Sequence, residues 1–119
     1  MSEDPSKHPS YMVHWKVRVL TPDKRITPAL ISQIRKGGIS IDFNQMLAIG
    51  TEVLVEFHVK YKNELTRLRA KTQVQSCILK SNQAPIIHTI IKKMDSHDVH
   101  TFNNILQTLS ESKEVNLRI

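Results

Sequence analysis

The sequence predicts a mainly β domain, six short antiparallel strands in a small barrel or sandwich followed by one amphipathic helix. Three observations carry this: apolar and polar residues alternate along successive segments, Gly/Pro/Asn/Asp clusters separate those segments, and apolar spacing changes to the helical period only after residue 95. Strands that run first, with a helix added at the end, imply a sheet whose apolar face closes on itself or on a second sheet, with the helix over one opening or side.

The elements follow in order. Residues 1 to 10 are polar, contain two prolines and show no periodicity, so a flexible leader is expected there. From residue 11, Val13, Trp15, Val17 and Val19 alternate with His14, Lys16 and Arg18, which gives a strand with one apolar and one basic face. Its alternation places Trp15 in the core. "TPDK" is a turn with Pro22 at its second position. A second strand runs through "ITPALISQI", and Pro28, which has no N–H to donate, restricts its early part to an edge or bulge. After "RKGG" the segment "ISIDF" alternates again, and Gly50 marks the turn before a fourth strand in which Val53, Val55, Phe57, Val59 and Tyr61 alternate with Leu54, Glu56, His58 and Lys60.

"KYKNEL" is a polar hairpin connection. The fifth strand sets Leu68, Ala70, Val74 and Ile78 on one face and Arg67, Arg69, Lys71 and Gln73 on the other. "KSNQAP" turns the chain into a sixth strand, "IIHTIIKK". Asp95 or Ser96 then caps a helix, with Asp98 in its first turn where a carboxylate favours the positive dipole end, and with Val99, Phe102, Ile105, Leu106 and Leu109 on one face. The domain is expected over residues 11 to 112, with 113 to 119 as a tail.

The chain has 119 residues, enough for one core. Seventeen Lys plus Arg against eleven Asp plus Glu give a formal charge of +6, which favours phosphate-bearing or acidic partners. Cys77 is the single cysteine, so no intrachain disulfide can form and a reducing, cytoplasmic location is expected. Residues 1 to 11 contain no apolar signal core, and no apolar run reaches the roughly 20 residues of a membrane-spanning helix, so membrane insertion is not expected.

Catalytic chemistry has little support. There is no phosphate-binding glycine loop, dinucleotide fingerprint or paired-cysteine motif. His97 and His100 share a helix face without a third ligand and read as exposed or capping residues, while Cys77 reads as a small packed thiol. Asp42 and Glu52 have no spacing that suggests acid-base work. No enzyme, metal or resident cofactor is therefore expected. The two basic stripes, His14/Lys16/Arg18 and Arg67/Arg69/Lys71, would form a six-cation anion-binding surface if their strands were neighbours, and otherwise serve as solvated strand faces. Nucleic-acid binding through them is weakened by the aromatic residues, most of which occupy inward or leader positions rather than exposed stacking positions.

The order of elements around "SQIRKGGISI" resembles the PilZ family, bacterial β-barrels best known as receptors for cyclic di-GMP. "YMVHWKVRVL" is similar to that family's first strand, "ALISQIRKGGISI" to its second-strand motif region, and "LAIGTEVLVEF" to the strand that follows. The resemblance implies a PilZ-like six-stranded antiparallel barrel with a C-terminal helix. It also implies cyclic di-GMP as the ligand and a bacterial signalling role in motility, pilus or surface behaviour.

The ligand motifs depart from the family pattern. With Gly38 aligned to the closing glycine of D/N-x-S-x-x-G, Gln33 stands where Asp or Asn is expected and Arg35 where Ser is expected. The RxxxR segment falls on Ser6 and Ser10, or on Lys7 and Tyr11, and neither register supplies two arginines, whose forked guanidinium groups would clamp phosphate. The expectation is an adaptor acting through contact with a protein partner, its nucleotide binding weakened or lost. The alternative is a cyclic di-GMP site rebuilt from Lys7, Ser10, Arg18, Gln33, Arg35, Lys36 and Gly38.

Overall fold

The computed structural model describes residues 8 to 111. Six strands, β1 (Ser10–Leu20), β2 (Ile26–Arg35), β3 (Gly38–Asp42), β4 (Glu52–Tyr61), β5 (Glu64–Ile78) and β6 (Ile86–Lys93), precede one helix, α1 (Ser96–Glu111). They close into a barrel of order β1-β2-β3-β6-β5-β4, every neighbouring pair antiparallel. Closure removes the free sheet edges that would otherwise recruit other strands. The expected fold class is the observed one. β1 begins at Ser10, the last residue of the expected leader; residues 1 to 7 and the expected tail, 113 to 119, lie outside the described residues.

Turn chemistry matches the local sequence. Lys62 and Asn63 both take positive φ (52° and 65°) in the two-residue β4–β5 connection, the conformation that suits the right-handed twist of paired strands. Gly37 supplies the positive φ of the β2–β3 turn, and its carbonyl accepts from Ile91 N. Pro28 lies opposite Arg18 of β1, before β2 meets β3 at Leu30, so its missing N–H interrupts no ladder.

Alternation fills the interior with Val17, Val19, Val53, Val55, Phe57 and Leu68 from one side and Ile31, Ile34, Ile39, Ile41 and Ile87 from the other, all buried. Trp15 packs against this core, its ring stacked on Phe57 at 6.0 Å between centroids and 16° between planes. Thr72 and Thr89 are also fully buried, and their hydroxyls donate to Val53 O and Ile39 O of the neighbouring strands.

Bulges interrupt the alternation in two strands, and one of them changes an expected placement. The β5–β6 register shifts between Val74 and Ser76, so Cys77, opposite Ile87, packs against the core and Ile78 turns outward at 42% exposure. A second shift, between Ile31 and Gln33, leaves Ile34 fully buried and Arg35 next to it buried as well. On α1, Thr101, Phe102, Ile105 and Leu106 are buried, whereas Val99 is 39% exposed. Asp95 is the cap: its Oδ1 accepts from His97 N and its carbonyl from Val99 N.

Candidate functional site

Strand register divides the candidate residues between two regions of the outer surface. In the first, Ser10, Arg35 and Gly38 form one row across β1, β2 and β3, and Met12, Gln33, Ser40 and His88 form the next, reaching β6. Lys36 follows in the turn. The structure thus brings Ser10, Gln33, Arg35, Lys36 and Gly38 together. Arg18 does not join them: it pairs opposite Pro28, five residues before Gln33 along β2, a separation of about 16 Å at extended-strand rise. Lys7 lies outside the described residues.

Arg35 is only 9% exposed. Its guanidinium donates to Ser40 Oγ at 3.4 Å, and Ser40 Oγ lies 2.7 Å from His88 Nδ1. The Ser40–His88 hydrogen bond is compatible with a neutral imidazole, its direction following the tautomer of the ring. Burial, aided by the charge of Arg35, pushes the His88 pKa below the ordinary 6.5, in agreement with that protonation state. The group has a serine and a histidine in contact but the wrong electrostatics for nucleophilic catalysis. Ser40 is fully buried, and the third member is a cation that lowers histidine basicity instead of a carboxylate that raises it. Gln33 Nε2 donates to Met12 Sδ at 3.4 Å. Asp42, at the far end of β3, has a buried Oδ1 with no hydrogen-bond partner among the described residues.

A small pocket of about 340 Å³ borders this region, lined by His8, Pro9, Tyr11, Lys36 and, from α1, Asn103, Leu106 and Gln107. It lies where the start of β1, the β2–β3 turn and the helix converge.

The second region covers β1, β4 and β5. The two basic stripes are not adjacent, because β4 runs between them; Glu56 is opposite Arg18 on one side and Arg69 on the other, and it pairs with both at 3.4 and 2.7 Å. The six-cation surface is therefore broken by a carboxylate. Arg69, with smaller contributions from Arg18 and Arg67, holds the Glu56 carboxyl below its ordinary range. Next to this charged row is an apolar one, formed by Ile26, Leu20 and Leu54 on three neighbouring strands. Together with the β6–α1 junction these rows form a groove of about 800 Å³. Asp98 of α1 accepts from Arg69 N at 3.2 Å, which occupies the β5 edge before its pairing with β6 starts at Lys71.

Sequence reasoning missed Ser40 and His88 as members of the first cluster and the apolar row of the groove. Each depends on which strands are neighbours, and only alternation within a strand was visible.

No family model matches the chain, and no curated protein matches it significantly. Among solved structures it is similar to the Bacillus subtilis inhibitor of motility MotI/DgrA, with a TM-score of 0.74 and 10% sequence identity over 92% of this chain. The chain spans about half of that protein's length, 53%. The likeness is one of fold, and the fold is PilZ-like.

Proposed function

We propose that this domain is a PilZ-like adaptor, a non-catalytic regulator in a motility or surface-behaviour pathway that works by contact with a protein partner and has lost most or all of its cyclic di-GMP binding. The observation that carries this reading is the burial of Arg35. At the position where the family places a small serine facing the guanine edge, this chain has a guanidinium directed along the sheet to Ser40, next to His88. A buried cation held by neighbours must give up those contacts and reorient before it can meet phosphate, which costs affinity. Gln33 is directed to Met12, and neither register of the leader supplies the two arginines of a phosphate clamp. The fold shared with a motility inhibitor supports the pathway assignment, and the closed basic barrel supports a role in binding.

A nucleotide site rebuilt from all seven candidate residues is not favoured, since Arg18 is on the groove side of the barrel. Calorimetric titration of the protein with cyclic di-GMP tests the proposal. No saturable heat up to high micromolar ligand is expected. Saturable binding that is lost in Arg35→Ala would replace the adaptor by a nucleotide receptor with a rebuilt site.

A further inference from the structure

We infer that the groove over β1, β4 and β5 is a docking site for an acidic amphipathic helix of a partner protein. This deepens the adaptor reading and rests on it.

Two rows of side chains carry the inference. Ile26 and Leu54 are 57% and 46% exposed, and Leu20 lies between them, so three neighbouring strands present one apolar line to solvent. Adjacent strands are about 4.8 Å apart. A helix laid across the strands places its i, i+4 side chains at a similar repeat, about 5 to 6 Å, so a single apolar stripe can seat on this line.

The flanking row sets the charge of the occupant. Five cations line the groove, Arg18, Arg67, Arg69, Lys71 and Lys93, against the carboxylates of Glu56, Asp95 and Asp98. Those carboxylates are already engaged: Glu56 by two arginines, Asp95 by the helix cap, and Asp98 by Arg69 N. The arginines nevertheless remain accessible, with the Arg18 and Arg69 side chains 63% and 62% exposed. The result is a positive rim beside an apolar floor, complementary to Glu and Asp flanking a leucine stripe. A second copy of this chain, itself at +6, is disfavoured by like charge. A nucleic acid would leave the apolar row unused and would find no aromatic ring among the groove-lining residues on which to stack.

Fluorescence anisotropy with a labelled helical peptide, leucines at i, i+4 spacing and glutamates elsewhere, tests the inference on the full chain. Saturable binding is expected, weakening steeply as salt is raised, at least tenfold weaker for Leu54→Asp and for the Arg67→Glu/Lys93→Glu pair, and absent for the same peptide with lysines in place of glutamates. These side chains are not buried, and circular dichroism of each variant serves as the control for folding. Lack of binding, or binding unchanged in both folded variants, overturns the groove assignment. So does an unrelated oligonucleotide that displaces the peptide and binds more tightly. None of these results depends on cyclic di-GMP, whose binding alone decides the adaptor proposal.

Discussion

The two outer regions of this barrel use cations in opposite ways. On the β2–β3–β6 side Arg35 is buried in a hydrogen-bonded group with Ser40 and His88, whereas on the β1–β4–β5 side Arg18 and Arg69 share Glu56 and remain largely exposed. Burial commits a guanidinium to the fold; exposure beside an apolar row leaves it available to a partner. The region that resembles a ligand motif in sequence is therefore the more closed one, and the region without a motif is the one open to contact.

Substitutions can break or sharpen this contrast. The largest effect is expected beneath the groove, where Phe57→Ala removes a fully buried ring stacked on Trp15 and should cost about 3 to 5 kcal/mol in urea unfolding. On the closed side, Ser40→Ala removes the hydroxyl shared by Arg35 and His88 and should cost about 1 to 3 kcal/mol by the same measurement. A loss as small as that of a surface change would show that the group is not part of the fold's stability.

His88 gives the closed side a pH signature. Its folded pKa lies below 6.5, so the unfolded chain takes up a proton that the folded protein excludes, and stability falls as pH drops from about 6.5 toward the folded pKa. Above that window the histidine is neutral in both states and contributes no slope. Urea midpoints at pH 7.5 and 5.5 should therefore diverge less in His88→Gln than in the parent. The smallest stability effect belongs to the open side: Arg69→Ala breaks an exposed pair with Glu56 and should change stability by less than about 1 kcal/mol. A large loss there would make the pair structural and erase the contrast.

Much of the barrel was legible because alternation is a local property. Val53 to Tyr61 and the polar "KYKNEL" turn define a strand and a hairpin without any knowledge of neighbours. Bulges were not legible: the irregularity after Val74 reverses the parity that had placed Ile78 inside and brings Cys77 there. Strand order was equally hidden. Nothing in Arg18 or Arg69 indicates that Glu56 will stand between them, and nothing in Ser40 or His88 indicates that β3 and β6 will be neighbours. The candidate ligand residues could be named from their place in a motif, but their availability depends on packing that the motif does not encode.

On the proposed reading, recognition has left the motif face. Amide spectra of the isotopically labelled protein during addition of cyclic di-GMP test it most directly. No saturable shifts are expected at Gln33, Arg35, Lys36 and Gly38 up to high micromolar ligand; saturable shifts centred on those four residues would mean that the motif face still binds the nucleotide.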